Sequence, residues 1–261
     1  MTLDIADHNR RSWNRQVREG CRWTLPVTKE LIQFAKEGQW TIFLTPNRPV
    51  PTHWFPPLKG LRVLCLASGG GQQAPLLSAA GADVASFDNS EEQLARDKEV
   101  ADRDSLTLTT HRGDMRDLSI FPDESFDLIV HPVSNVFVPE IQAVWDECSR
   151  VLRPGAYLIA GFMNPSFFLF NHDEALAGKP LEVKYALPYS DLVALEPDKR
   201  AENIRKEVAV EFSHSLEDQI TGQLRAGLSL EDLYEDDWCD EATPLNKFSP
   251  TSIATKSMKK G

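Results

Sequence analysis

The sequence lacks clustered basic residues, closely spaced cysteines and long apolar runs. Its 28 Lys and Arg residues face 39 Asp and Glu residues, which gives a formal net charge of −11. Because nucleic acid binding needs local clusters of cations to neutralise phosphates, this balance disfavours a nucleic acid partner. The four cysteines lie far apart, with no CxxC pair and no histidine at metal-ligand spacing. We therefore expect free thiols, as in a reducing compartment, and no metal site.

Signals of export and of membrane insertion are also missing. Residues 1–12 are polar and lack the apolar stretch of a signal peptide, and no run is long enough to span a bilayer. Together with the unpaired cysteines, this predicts a cytoplasmic protein with no membrane partner. The oligomeric state stays open.

The chain divides into three regions of different character. Residues 1–60 are rich in tryptophan and proline and include one predicted helix, over 28–37. Residues 61–162 alternate strand and helix signals, which predicts a parallel sheet with crossover helices. Strands are predicted over 61–67, 83–87, 106–110, 126–130 and 156–162. Beyond residue 163 the pattern is less regular, with a helix predicted over 216–226 and two last strands over 228–234 and 252–256.

The strongest local signal is a glycine-rich turn between the first strand and the next helix. Ser68 is followed by Gly69, Gly70 and Gly71, which let the backbone turn sharply and approach a ligand. Asp88 stands about twenty residues later at the end of the second strand, where an acid can bind ribose hydroxyls. This arrangement suits any adenosine cofactor, and the loop also satisfies the dinucleotide pattern G-x-G-x-x-G/A. A nicotinamide-dependent oxidoreductase therefore stays open, although the chain lacks a Tyr-x-x-x-Lys pair.

Three downstream motifs separate the alternatives. They are Gly113-Asp114-Met115 after the third strand, the fourth strand Phe126-Asp127-Leu128-Ile129-Val130, and Arg150-Val151-Leu152-Arg153-Pro154-Gly155 before the fifth. With the glycine turn they resemble the small-molecule class I S-adenosylmethionine-dependent methyltransferases, including those of ubiquinone and menaquinone biosynthesis. The sequences LASGGGQQ and Asp88-Asn89-Ser90 give a closer likeness to one bacterial branch of these enzymes.

The resemblance implies an α/β, Rossmann-like fold with a mostly parallel seven-stranded sheet and helices on both faces. It also implies an N-terminal helical and aromatic cap over 1–60, and a methyltransferase domain over 61–261 with a small β-containing lid insertion at about 163–213. The implied activity is in-line methyl transfer from S-adenosylmethionine to a small-molecule acceptor. The implied cofactor-binding residues are Ala67, Ser68, Gly69, Gly71, Gln73, Asp88, Asn89, Gly113, Asp114, Met115 and His131.

Specific roles come with the resemblance. The turn would hold the methionine part of the cofactor, Asp88 the ribose hydroxyls and Asp114 the adenine amino group, with Met115 beside the ring. The chain departs from the family at Cys65, where an acid is usual, and at Ala67, where a glycine is usual. Ala67 is tolerable if its φ angle is negative. These departures keep a third possibility open, a non-catalytic protein that binds S-adenosylmethionine or S-adenosylhomocysteine.

His131 is the candidate general base, because it ends a central strand at the edge where open α/β sheets bind ligands. A neutral, hydrogen-bonded structural histidine is the alternative. No metal is expected, since the sulfur leaves as a neutral group. In the insertion, segments 181–187 and 208–213 alternate apolar and polar residues and are predicted to pair as antiparallel strands over the site. The aromatic residues Trp13, Trp23, Trp40, Trp54, Phe162, Phe167, Phe168, Phe170, Tyr185 and Tyr189 could cover the ligands.

Overall fold

The computed structural model describes residues 3–238 and 241–261, and its centre is one seven-stranded sheet. The strands are β1 (Arg62–Leu66), β2 (Asp83–Asp88), β3 (Leu108–Arg112), β4 (Phe126–His131), β5 (Leu152–Met163), β6 (Leu228–Asp236) and β7 (Ser252–Lys259). They lie in the order β3-β2-β1-β4-β5-β7-β6. All neighbouring pairs are parallel except those of β7, which runs antiparallel to β5 and β6. The predicted fold class is confirmed.

Helices cover both faces of the sheet. They are α1 (Ile5–Glu19), α2 (Lys29–Lys36), α3 (Gln73–Ala79), α4 (Glu91–Asp104), α5 (Gln142–Val151), α6 (His172–Leu176), α7 (Asp191–Ala194), α8 (Pro197–Arg205) and α9 (Gly222–Arg225). A π-helix, Glu217–Thr221, precedes α9, so the helix predicted over 216–226 is present in two parts.

Alternation along the strands explains the two cores. Val63 and Cys65 of β1 pack on one face with residues of α2, α3 and α4, while Leu64 and Leu66 pack on the other with α5. Successive side chains of a strand point to opposite faces, and in a parallel sheet both faces are covered, so the strand is apolar throughout. The Ser90 hydroxyl accepts from the Gln93 amide and so caps the start of α4.

Two local predictions are wrong. Segments 181–187 and 208–213 do not pair with each other: Val183 forms an isolated bridge with Phe170, and Phe212 forms one with Ser190. The insertion is therefore helical and irregular rather than β-containing over the residues that are described. The fifth strand begins earlier than predicted, since β5 starts at Leu152 rather than at residue 156, and its register with β4 shifts between Phe126 and Leu128.

The remaining sequence expectations concern cysteines and membranes. Cys21, Cys65 and Cys148 are free thiols, and Cys239 lies outside the described residues. Within residues 3–238 and 241–261, no helix has the length and apolar character needed to cross a bilayer.

Candidate functional site

A cavity of about 860 Å³ opens at the carboxyl ends of β1, β2 and β4. The strand order reverses between β1 and β4, and open α/β sheets bind ligands at such a switch point. Its size falls in the range of small-molecule and cofactor sites. The glycine turn forms one part of its wall, and α1, the loop after β4 and the insertion form the rest.

Two carboxylates hold the glycine turn, that of the half-buried Asp88 and that of the fully buried Asp97. Asp88 Oδ2 accepts from the Gly69 amide at 3.0 Å, and Asp97 Oδ1 accepts from the Gly71 amide at 2.7 Å. The second oxygen of Asp97 accepts from the Ser86 hydroxyl at 2.6 Å. The turn also requires glycine: a Cβ added to Gly69 would lie 2.7 Å from Cβ of Gln93.

Burial changes the acidity of both carboxyl groups. It raises the pKa of Asp88 to about 6, against the opposing hydrogen bonds from the amides of Ser90, Gly69 and Asn89. It raises the pKa of Asp97 to about 7, and the nearby charge of Asp88 adds to that rise. Asp88 lines the cavity, whereas Asp97 lies behind the turn.

Asp97 lies near Cys65, the position where the resemblance leads one to expect an acid. The thiol is fully buried, and burial followed by the charge of Asp97 raises its pKa. A carboxylate from α4 thus serves the backbone of the turn in this chain. Sequence reasoning missed Asp97, although it falls in the buried stripe of α4 with Leu94, Val100 and Ala101, and an acid in such a stripe is a usable signal.

The φ angle of Ala67 is positive rather than negative as expected. Its φ is 48°, in the left-handed region that favours glycine. The strand-to-helix turn therefore keeps the backbone shape of a glycine with an alanine in place. Ala67 lines the cavity.

The segment after β3 lies on the same cavity. Gly113, Asp114 and Met115 line it, and a Cβ on Gly113 would lie 2.3 Å from Cζ of Phe87, so only glycine fits. Asp114 is paired with the guanidinium of Arg116, whose Nε lies 3.1 Å from both carboxylate oxygens. This ion pair holds the carboxylate in place at the wall, and its oxygens keep lone pairs for another donor.

His131 is fully buried and is not among the residues that line the cavity. Nδ1 lies 2.9 Å from the carbonyl oxygen of Leu66, and Nε2 lies 2.6 Å from Oδ1 of Asn135. Burial lowers the pKa of His131, against the opposing hydrogen bonds to Leu66 and Asn135. The geometry therefore argues against the predicted role of His131 as a general base and favours the structural alternative.

The cavity brings together nine of the predicted cofactor residues. They are Ala67, Ser68, Gly69, Gln73, Asp88, Asn89, Gly113, Asp114 and Met115. Gly71 and His131 do not line it. Gly71 packs on Pro26 instead, while the side-chain amide of Asn89 donates to the carbonyl of Ala6 in α1.

Unpartnered polar atoms mark the wall as built for a ligand. The hydroxyl of Ser12 and Oε1 of Gln93 are buried without a hydrogen bond to any described residue, and the Ser68 hydroxyl has no oxygen or nitrogen partner there. All three residues line the cavity. Because buried polar groups are normally satisfied, a polar ligand with donors and acceptors fits this wall. These residues suit the ribose and amino acid groups of an adenosine cofactor.

Aromatic residues close part of the cavity. Trp13 lines it and packs on Phe137 with ring centroids 5.2 Å apart, and Trp23 lines it and packs on Trp238 at 5.9 Å. Phe167 and Phe168 line it as well. The other candidates, Trp40, Trp54, Phe162, Phe170, Tyr185 and Tyr189, do not. Trp54, for example, is core, with its indole N–H donating to Asp232.

Comparison with known proteins fits this site. The family described as "Methyltransferase domain" matches residues 64–160. "Uncharacterized methyltransferase YbaJ" of Bacillus subtilis is 50% identical over 255 residues, covering 98% of each chain. The chain belongs to the S-adenosylmethionine-dependent methyltransferases. S-Adenosylmethionine is therefore the cofactor of this methyltransferase, and the interpretations as an oxidoreductase or a non-catalytic binder are set aside.

Solved structures share the fold of the methyltransferase. A crystal structure of an S-adenosylmethionine-dependent methyltransferase from Mesorhizobium loti matches with a TM-score of 0.61 and 20% identity, covering 79% of this chain and 94% of that one. A putative one from Listeria monocytogenes matches with a TM-score of 0.63 and 15% identity, covering 80% and 94%.

Proposed function

We propose that the methyltransferase acts on a small organic acceptor, bound in the same cavity as its cofactor. The observation that carries the proposal is the continuity of that cavity. One space of about 860 Å³ runs from the glycine turn and Asp88 to an aromatic wall with Trp13 and Phe168. Such a space suits an adenosine cofactor at one end and an apolar molecule at the other.

The cofactor would be held by residues that line the cavity. Ala67, Ser68, Gly69 and Gln73 would contact its methionine part, Asp88 and Asn89 its ribose, and Gly113, Asp114 and Met115 its adenine. Gly71 would act indirectly, through its hydrogen bond to Asp97. When bound, S-adenosylmethionine supplies a methyl group on a sulfonium sulfur that leaves as a neutral group. The walls of the cavity align the acceptor and exclude water, and alignment supplies most of the rate.

The proposal also covers the domain organisation, the location and the partners of the protein. It comprises a cap over 1–60, a methyltransferase domain over 61–261 with an insertion at about 163–213, and a cytoplasmic location without a nucleic acid partner. Support comes from the acidic balance of −11 and from the free thiols of the three described cysteines.

The test is calorimetric titration of S-adenosylmethionine and S-adenosylhomocysteine into the wild type and Asp88→Ala. We expect Asp88→Ala to lose about 1.5–3 kcal/mol of binding free energy, the range for hydrogen bonds to charged groups. Asp83→Ala is the matched control, because Asp83 starts the same strand at its far end and is exposed. Equal affinity of all three proteins would refute the assignment of Asp88. Wild type that binds NAD but neither adenosyl compound would refute the site.

A further inference from the structure

Glu211 lines the cavity and lies in a segment that hydrogen bonds hold from two sides. Its amide donates to Asp191 Oδ2 at 2.8 Å, and its carbonyl accepts from the Asp191 amide at 3.1 Å. The next residue, Phe212, donates its amide to the carbonyl of Val136 at 2.8 Å. On the other side, the side-chain amide of Asn9 binds both the N–H and the carbonyl of Val210. The position of Glu211 is therefore set by the fold rather than by a loose loop.

The carboxylate of Glu211 has no hydrogen bond and no ion pair with any residue in 3–238 or 241–261. Glu211 is half-buried at the wall, and a carboxylate that is partly removed from water without a partner favours binding of a donor or a cation. Burial, with the nearby charge of Asp191, raises the pKa of Glu211 to about 7. Above that pH an unpaired negative charge stands at the wall.

Most other charged side chains on the described wall have a protein partner. Arg10 binds Asp7 and Glu91, Arg116 binds Asp114, and Asp88 accepts backbone amides. Arg15 donates to the carbonyl of Lys206 and lies 3.8 Å from Glu19, while its Nε is buried without a hydrogen bond to a described residue. Glu211 is the carboxylate that the described wall leaves without a partner, and its charge favours a cationic group beside it.

The same wall carries several apolar residues. They are Trp13, Val136, Phe137, Met163, Phe168 and Trp238. Phe168 and Met163 also belong to a buried cluster with Val136, the residue to which the Glu211 segment is bonded. A cavity with these apolar residues and one unpartnered carboxylate matches a ligand that has an apolar body and one cationic donor group.

We propose that the acceptor of the methyltransferase is an apolar amine whose ammonium group is bound by the Glu211 carboxylate. The ammonium would pass one proton to that carboxylate, and the freed nitrogen lone pair would then form the bond to the methyl carbon as the carbon–sulfur bond breaks and the sulfur leaves as a neutral thioether. Glu211 is then the residue that selects amines over acids at the acceptor site. This inference rests on the proposed function, because it takes the apolar end of the cavity as the acceptor site.

The experiment measures binding of three probes that share one ring system and differ in the head group: naphthylethylamine, naphthylethanol and naphthylpropanoate. Each is titrated into the full-length protein saturated with S-adenosylhomocysteine, near pH 8, where Glu211 is ionised and an alkyl amine is protonated. We expect the amine to bind about 10- to 100-fold more tightly than either other probe, the effect of a charge-assisted hydrogen bond.

Variants assign that preference to one carboxylate. Glu211→Gln should abolish the preference for the amine while leaving affinity for S-adenosylhomocysteine unchanged. Glu182→Gln is the matched control, since Glu182 lies in the same insertion, is exposed, and has no hydrogen bond or ion pair with a described residue. It should keep the preference.

Several results would overturn the inference. They are a wild type that binds the alcohol or the acid as tightly as the amine, a wild type that binds none of the probes, and Glu211→Gln that keeps the preference. The comparison of probes on the wild type does not depend on whether the variant folds. Failure of S-adenosylhomocysteine to bind would instead count against the proposed function, so the two failures are distinguishable.

Discussion

Ala67 is held in the left-handed backbone region, with a φ of 48°. For a residue with a Cβ this costs roughly 1–2 kcal/mol, while glycine at the same place loses about 0.4–1 kcal/mol through the entropy of the unfolded chain. We therefore expect Ala67→Gly to leave the free energy of unfolding unchanged or to raise it by up to about 1 kcal/mol. Urea denaturation of the wild type and Ala67→Gly measures this difference in the free energy of unfolding.

The control for this substitution is Ala95→Gly. Ala95 is exposed in the middle of α4, where glycine should lower stability by about 0.5–1 kcal/mol. A loss in Ala67→Gly as large as in the control would show that Ala67 is not strained in solution.

Asp97 predicts a dependence of stability on pH. Its pKa is about 7 in the folded protein, above the ordinary value of 3.8 for an aspartate, so between these values the folded protein binds more protons than the unfolded chain. Stability contributed by this group therefore falls as pH rises from about 4 to about 7. Asp97→Asn keeps an acceptor for Gly71 and removes the titration, so the variant should gain stability relative to the wild type across this range.

Denaturation of both proteins at several pH values checks the effect. Asp88, whose pKa is raised to about 6, contributes a slope of the same sign in both proteins. Because its charge interacts with that of Asp97, this slope should be smaller in Asp97→Asn, which leaves the sign of the difference unchanged. A difference between wild type and Asp97→Asn that is constant from pH 5 to pH 8 would contradict the prediction.

Helix α1 is the element that joins the two halves of the cavity. On the cofactor side, the Ser90 hydroxyl donates to Asn14 at 2.7 Å and Asn89 donates to the Ala6 carbonyl at 2.7 Å. On the insertion side, His8 contacts the Val208 carbonyl at 2.8 Å. Opening of α1 would therefore expose both ligands together.

This arrangement predicts that cofactor protects residues 1–25 from limited proteolysis. A ligand at 100 times its Kd stabilises the closed state by about 2.7 kcal/mol, which suppresses local opening about 100-fold. S-Adenosylhomocysteine should slow cleavage in the wild type and have less effect on Asp88→Ala. Cleavage of this segment at equal rates with and without the ligand would show that α1 is not a cofactor lid.

At the scale of the whole molecule, the positions of the potential metal ligands bear on whether the enzyme needs a metal ion besides S-adenosylmethionine. Over the described ranges, no group of three or more His, Cys, Asp or Glu side chains could hold a metal ion. Because the sulfur departs as a neutral group, transfer of the methyl needs no Lewis acid. We expect treatment with a chelator to leave both the melting temperature and the affinity for S-adenosylmethionine unchanged. A loss of either would reveal a metal requirement.

Sequence reasoning went furthest where the signal was local. The strands β1, β2 and β4 and the glycine turn were all predicted, because a short apolar run and a run of glycines act over a few residues. Sequence reasoning failed at 208–213, because a local pattern does not identify the groups to which the backbone hydrogen-bonds. The alternation of Val208, Val210 and Phe212 is present, but hydrogen bonds to Asn9, Val136 and Asp191 take the place of a partner strand.

What the sequence determined by itself is the alternation of strands and helices over 61–162, the glycine turn and the family, because each is written in contiguous residues. Only the tertiary structure decided that Asp97 holds the turn beside Cys65, that His131 is sealed by Leu66 and Asn135, and that Glu211 stands alone in the cavity. These facts depend on which side chains meet across gaps of up to about 200 residues, as between Asn9 and Val210. Burial then sets their charge, and burial is a property of the packed molecule.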